Sequence, residues 1–183
     1  QPIYDSGAFC ADMLMSGSAE ENRGTVHLVR IERDVKGLSD PSQERRRGFM
    51  DYLAAHFPET EVRNVVINPN NPEEAHKAMD DAFSAITGCP NVVTLNSRIS
   101  LVADYLRERG LKGWNVIGYD VLERNMTALK DGYVKYLIAQ HSDRDAHDAV
   151  AVLTDFLILG KHPDHPDNFS SIDLLSRYNC RFY

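Results

Sequence analysis

The segment WNVIGYDVLERNMTALKDGYVKYLIAQ (114–140) determines the fold prediction. Residues 114–119 form a short apolar run that is typical of a buried strand, and residues 134–140 form another. Between them, residues 122–132 have the spacing of an amphipathic helix that ends at Gly132. A strand, a helix and a strand so closely spaced predict a parallel crossover, in which both strands end at the same edge of one sheet.

The rest of the chain repeats this alternation of β-branched runs and amphipathic segments. Two helices are predicted to start in the same way, with an N-cap followed by proline, at Asp40 with Pro41 and at Asn71 with Pro72. The other predicted strands are 24–31, 61–67, 91–95 and a final 171–178, and the other predicted helices are 40–57, 71–86, 97–110 and 143–160. This order predicts an α/β fold, an open parallel sheet flanked by helices on both faces.

Composition limits the possible functions. With 183 residues, 43% hydrophobic and 26% charged, the chain has enough apolar material for one sizeable core, arranged as one large domain or two small lobes. A net charge of −7 and a pI near 5.4 argue against direct nucleic-acid binding. No apolar run approaches membrane-spanning length, and the first residues do not resemble a signal peptide. The sequence contains no GxSxG, P-loop or GxGxxG motif, so neither an enzyme nor a cofactor is predicted.

The cysteines and histidines predict no metal or disulfide. Cys10, Cys89 and Cys180 are odd in number and far apart, which favours free thiols in the core of a cytoplasmic protein. His162 and His165 lie in HPDHPD, where the prolines prevent both rings from sharing a helical face as metal ligands.

Polar side chains end three of the predicted strands. Asn96, Asp120 and Gln140 should meet at the carboxyl edge of the sheet, where ligands bind in folds of this type. A carboxylate with two amides suits the hydroxyls of a sugar, and Tyr119 would offer its ring to the sugar's C–H face. Taken singly, each of these polar residues is more often a cap or loop residue than a ligand contact, and their coincidence favours the ligand site.

The same segments resemble a known family. NVIGYD and VKYLIAQ are similar to the sugar-binding module of LacI/GalR-type regulators and ribose-type periplasmic binding proteins, whose corresponding Asp and Gln contact the sugar. LNSRISLVADYLRERG resembles the family segment that supplies an Asn contact, here Asn96, although Ser97 stands where the family usually has an acid. QERRRGFMDYL is similar to the helix whose arginine reaches the sugar, which falls on Arg45; a solvated helix face is the alternative for that arginine. IYDSGAFCADML resembles the segment that enters the second lobe.

The resemblance also implies a domain organisation for residues 1–183. Residues 1–140 and 172–183 would form the carboxyl-terminal lobe, and the helix at 143–160 would belong to an amino-terminal lobe that has no counterpart in this sequence. Because that helix is apolar on more than one side, we expect it to fold back onto its own lobe or to swap into a second copy, giving a homodimer.

Three functional hypotheses follow. The leading one is the effector-binding part of a LacI-type regulator, which binds a sugar or related small molecule and contacts DNA only through an upstream domain. The second is a periplasmic sugar-binding protein of a transport system, and the third is an α/β enzyme of unknown chemistry. An upstream helix-turn-helix or a signal peptide would discriminate the first two.

Overall fold

The computed structural model describes residues 2–32, 40–86, 88–163, 165, 167 and 169–183. Its helices are α1 (Ile3–Ser16), α2 (Asp40–His56), α3 (Pro72–Phe83), α4 (Ile99–Glu108), α5 (Glu123–Lys130) and α6 (Ser142–Leu159). Its strands are β1 (Thr25–Ile31), β2 (Glu61–Ile67), β3 (Asn91–Val93), β4 (Asn115–Tyr119), β5 (Tyr136–Ala139) and β6 (Asp173–Leu175). Short 3-10 turns cover Glu20–Asn22 and Cys180–Phe182.

The six strands form one sheet in the order β2-β1-β3-β4-β5-β6. The first five strands are parallel, as predicted, and their register aligns Val93 with Ile117 and Tyr119 with Ile138. The last strand, β6, is shorter than predicted and runs antiparallel to β5. The predicted fold class, an α/β sheet flanked by helices, is confirmed.

Helices cover both faces of this sheet and bury two apolar clusters. Helices α1 and α2 pack on one face, where Leu14, Phe49 and Tyr119 are fully buried. Helices α3, α4 and α5 pack on the other, where Met79, Leu106 and Leu129 are fully buried. The central strands are therefore buried on both sides, which explains their continuous apolar runs.

The predictions for helix N-caps and cysteines are confirmed in part. The Asn71 Oδ1 accepts a hydrogen bond from the Glu74 backbone N–H at 3.3 Å, which confirms the predicted N-cap of α3. The side chain of Asp40, the other predicted cap, lies outside the described residues. Cys10 and Cys180 are buried free thiols as predicted, but Cys89 is exposed, so its prediction as a core residue is wrong.

Helix α6 leaves its apolar side chains in solvent. Leu157 and Ile158 are 70% and 75% exposed, and Phe156 is 43% exposed. The expectation that the helix folds back onto its own lobe is therefore wrong, because this surface stays uncovered. Within the described ranges, no helix combines the length and apolarity needed to cross a membrane.

Candidate functional site

The carboxyl edge of the sheet gathers the three predicted polar residues. Asn96 follows β3, Asp120 follows β4 and Gln140 follows β5, and each is half-buried. The strand register places them at nearly the same level, and the Asp120 backbone N–H donates to the Ile138 carbonyl at 3.0 Å. The structure thus brings the three residues to one crevice edge, as the sequence predicted for their position.

Helix α4 approaches this edge closely because of Gly118. A Cβ at Gly118 would lie 2.4 Å from the Cβ of Ile99, the first residue of α4. Any larger residue would push α4 outward, since carbon atoms do not pack at that distance. Gly118 therefore sets the separation between the end of β4, which carries Asp120, and the start of α4, which Asn96 precedes.

Asp120 has the most unusual backbone of the site. Its φ is +69°, and it is the one residue other than glycine with a positive φ in the described part of the chain. This left-handed conformation costs an ordinary L-residue about 1 to 2 kcal/mol, although aspartate tolerates it better than most. Residues held in such a conformation cluster at functional sites, where the geometry of the side chain matters.

The Asp120 carboxyl is also electrostatically distinct. Burial raises its pKa above the ordinary value for aspartate, and the positive charge of Arg45 partly offsets this shift. A partly desolvated carboxylate gains from hydrogen-bond donors that replace its lost water. Ligand hydroxyl groups are suitable donors of this kind.

Arg45 lies inside the molecule rather than on a solvated helix face. Only 6% of its surface is exposed, its Nη1 donates to the Leu95 carbonyl at 2.7 Å, and its Nε donates to the Ser6 Oγ at 3.4 Å. Helix α1 makes room for this position through Gly7, where a Cβ would lie 1.9 Å from the Arg45 carbonyl oxygen. The solvated alternative instead fits Arg47, which is exposed and paired with Glu44.

The Tyr119 ring packs against the Arg45 guanidinium. Its ring is fully buried, with the Arg45 guanidinium carbon 4.1 Å from the ring centroid, and its hydroxyl donates to the Ser6 carbonyl at 2.7 Å. The expectation that Tyr119 offers an open ring face to a sugar is therefore wrong, because Arg45 covers that face. Tyr119 holds the arginine in place instead.

The Asn96 side chain forms a turn after its strand. Its Oδ1 accepts a hydrogen bond from the Arg98 backbone N–H at 3.0 Å, forming the turn that leads into α4. The amide nitrogen carries two donors that this turn does not use. A cleft beside Asn96, at the ends of β1 and β3, is lined by Arg30, Arg46 and Leu95 among others.

The comparison with protein families covers most of the chain. The family model of the periplasmic binding protein domain matches residues 2–162. The chain belongs to the periplasmic binding protein domain family. No curated protein sequence matches it.

Solved structures of the same fold include both regulators and transport proteins. A protein described as a LacI transcriptional regulator from Bacteroides fragilis is 31% identical with a TM-score of 0.91, and the match covers 100% of this chain and 62% of that protein. The sugar-binding protein of a sugar ABC transporter from Bacillus halodurans is 16% identical with a TM-score of 0.79, over 99% of this chain and 64% of that one. A carbohydrate transporter solute-binding protein from Agrobacterium radiobacter, in complex with D-arabinose, is 20% identical with a TM-score of 0.76, over 97% and 60%.

These matches show the fold that the periplasmic binding protein domain shares with longer proteins. The chain spans less than two thirds of the length of each of the three structures. The predicted fold family is confirmed, while the narrower assignment to LacI-type regulators stays a prediction.

One residue of this periplasmic binding protein domain that the sequence did not reveal is Asn125. It is fully buried on α5, behind Asp120. Its Nδ2 lies 3.0 Å from the Tyr119 carbonyl, 3.1 Å from the Asp120 carbonyl and 3.0 Å from the Ser97 carbonyl. A signal was present, since a polar residue with low helix propensity follows a strand-end carboxylate by five positions.

Proposed function

We propose that this chain is the carboxyl-terminal part of a sugar-binding effector region in a LacI-type transcriptional regulator. Asp120, Gln140, Asn96 and Arg45 would form one side of the pocket, with Asp120 accepting hydrogen bonds from ligand hydroxyls. The observation that carries the proposal is the half-buried Asp120 carboxylate, held at a positive φ at the carboxyl edge of the sheet. In this role the domain binds its ligand and catalyses no reaction.

Arg45 supports a pocket for a polar ligand. A buried guanidinium bonded to a backbone carbonyl and seated on Tyr119 is rigid and permanently charged. The positive charge of Arg45 also stabilises the ionised form of Asp120, since it lowers the pKa of that carboxyl. The two residues therefore supply a fixed donor and a fixed acceptor, which is the pairing that sugar hydroxyls require.

The remaining lobe would come from another part of the full-length protein. In the proposed organisation, residues 1–140 and 172–183 form the carboxyl-terminal lobe, and helix α6 packs in the amino-terminal lobe. The exposed apolar side chains of α6 support this arrangement, since such a surface is normally covered. Ligand binding between the lobes would shift the balance between two lobe arrangements and so the spacing of upstream DNA-binding domains in a cytoplasmic homodimer.

A transport role is the second candidate. The similarity in fold to sugar-binding proteins of transporters favours it, and the lobes would be the same in both roles. The coding sequence upstream of Gln1 discriminates the two: a helix-turn-helix supports the regulator, and a signal peptide supports the transport protein. The three free cysteines favour the cytoplasm, where thiols remain reduced.

The test of the proposal is a calorimetric titration of the full-length protein. D-glucose, D-galactose, D-ribose and D-arabinose serve as probes for the wild type and for the Asp120→Ala variant. We expect at least one sugar to bind the wild type and to lose about 100-fold or more in affinity in Asp120→Ala, because its hydroxyls lose a charged acceptor. The control is Asp81→Ala, which removes an exposed carboxylate paired with Lys77 on α3.

Two results would contradict the proposal. One is sugar binding that is equally tight in the wild type and in Asp120→Ala. The other is turnover of a sugar derivative that disappears in Asp120→Asn, because it would make the domain an enzyme.

A further inference from the structure

The Asn125 side chain joins the two loops that carry proposed ligand contacts. Its Oδ1 accepts from the Ser100 backbone N–H at 3.2 Å, and its Nδ2 donates to the Ser97 carbonyl, so both atoms bind the segment that leads from β3 into the first turn of α4. The same Nδ2 reaches the carbonyls of Tyr119 and Asp120 in the loop after β4. We propose that Asn125 is a positioning residue, which fixes the Asp120 and Asn96 side chains relative to each other without touching the ligand. This inference rests on the proposed function of those two residues.

The geometry explains how Asn125 controls Asp120. The φ and ψ angles of Asp120 are the rotations that relate the peptide plane before it to the peptide plane after it. The Tyr119 carbonyl belongs to the first plane and the Asp120 carbonyl to the second, and Asn125 binds both. Because the Ser97 carbonyl takes one of the two N–H groups, these two carbonyls share the other, and this shared hydrogen bond holds the left-handed backbone that aims the Asp120 carboxylate.

Asn125 fixes the neighbouring loop in the same way. Ser97 lies directly after Asn96, and Ser100 lies in the first turn of α4. Because one buried amide binds both segments, it ties the loop after β4 to the start of α4. Gly118 permits the close approach of α4, and Asn125 then keeps the loops in register.

An asparagine at position 125 lowers the intrinsic stability of α5, which indicates that its hydrogen bonds to the neighbouring loops are required. Asparagine is a poor helix former, and a buried amide must have all its polar atoms satisfied. The remaining described α5 residues that are fully buried, Ala128 and Leu129, are good helix formers. Position 125 departs from that pattern because its side chain binds backbone groups at the carboxyl edge of the sheet instead of packing in the apolar core.

A buried asparagine at the opposite end of the sheet provides a matched control. The Asn115 Nδ2 donates to the Leu14 carbonyl at 2.7 Å and to the Asn91 Oδ1 at 2.6 Å, at the amino edge of β4. Its replacement removes a buried hydrogen-bond network of similar size, far along the strand from Asp120. If Asn125 only stabilised the fold, Asn125→Ala and Asn115→Ala would have the same effect on the Asp120 titration and on sugar affinity.

The first experiment follows the Asp120 carboxyl by carbon-13 NMR during a pH titration, which needs no ligand. We expect Asn125→Ala to lower the pKa of Asp120 toward the ordinary value, because a loosened turn hydrates the carboxyl, and we expect Asn115→Ala to leave it unchanged. Asn125→Ser, which keeps one hydroxyl at the site, serves if the alanine variant does not fold. An Asp120 titration that is the same in the folded Asn125 variant and the wild type would overturn the inference.

The second experiment is a double-mutant cycle on affinity in the full-length protein, with the tightest-binding sugar of the four. Asn125→Ala should weaken binding about tenfold while Asn115→Ala changes it less than twofold, and the tenfold effect should become clearly smaller in an Asp120→Ala background, where Asn96 is the one proposed contact that Asn125 still positions. Equal effects of Asn125→Ala in both backgrounds would contradict a positioning role. Binding that does not depend on Asp120 would instead refute the proposed function and leave the NMR result as the measure of the inference.

Discussion

The positive φ of Asp120 predicts an unusual order of stabilities for two substitutions. Asp120→Ala and Asp120→Gly both delete the carboxylate, so the loss of its charge and hydrogen bonds cancels when the two variants are compared. They differ in the Cβ atom, which at a φ of +69° costs alanine about 1 to 2 kcal/mol. Glycine loses about 0.5 to 1 kcal/mol through its greater freedom in the unfolded chain. We therefore expect the glycine variant to be more stable by about 1 kcal/mol.

A second pair of variants gives the opposite order. Asp81 lies in α3, is exposed and pairs with Lys77, so Asp81→Ala and Asp81→Gly lose the same ion pair. In a helix the alanine variant should be more stable by about 1 kcal/mol. The two sites should thus differ by about 2 kcal/mol in the free-energy difference between alanine and glycine.

Urea unfolding of the chain measures these differences. The single tryptophan, Trp114, packs against the core with its ring centroid 5.3 Å from that of Phe83, so its fluorescence should report global unfolding. The slope of the free energy of unfolding against urea concentration must be the same in all four variants, because only then can their stabilities be compared. An Asp120→Ala variant as stable as Asp120→Gly would show that Asp120 does not occupy a strained backbone.

Three further predictions concern the core, the close packing and the exposed helix. Burial, with the charge of Arg63 as the next cause, lowers the pKa of His27, so the unfolded chain binds its proton at higher pH than the folded chain. Stability should fall as pH drops below about 6.5, and the fall should be smaller in His27→Leu; an unchanged pH dependence in urea unfolding would contradict this. Gly118→Ala should cost about 1 to 3 kcal/mol in the same assay through the contact with Ile99, while Gly24→Ala, with no atom within 4 Å of the added Cβ, should change stability by less than about 0.5 kcal/mol. The chain should sediment as a dimer through α6 and as a monomer in Leu157→Asp; a monomeric wild type at micromolar concentration would exclude the swapped arrangement.

The sequence predicts the order of strands and helices because the core pattern is regular. Parallel strands buried on both faces produce apolar runs, and the helices between them keep a helical period, so each element between residues 24 and 160 is present where it was predicted. The positions of Asn96, Asp120 and Gln140 at one edge follow from parallel pairing alone. The direction of β6 does not, since a strand's residue pattern is the same in either direction.

The inward face of β4 could not be predicted from its residues. All five residues of Asn115–Tyr119 are buried, so polar and apolar positions do not alternate and the pattern does not indicate which way each side chain points. Tyr119 therefore looked available to a ligand, whereas it lies beneath Arg45. Asn125 was missed for a related reason, because its partners are backbone carbonyls of loops that meet only in the folded chain.

A crystal structure of the full-length protein with the sugar that binds it would show directly whether Asp120 contacts the ligand. We expect a hydroxyl oxygen of the sugar to lie within about 3 Å of an Asp120 carboxylate oxygen, with Asp120 still at a positive φ. A sugar bound elsewhere, with the Asp120 carboxylate facing solvent, would contradict this expectation.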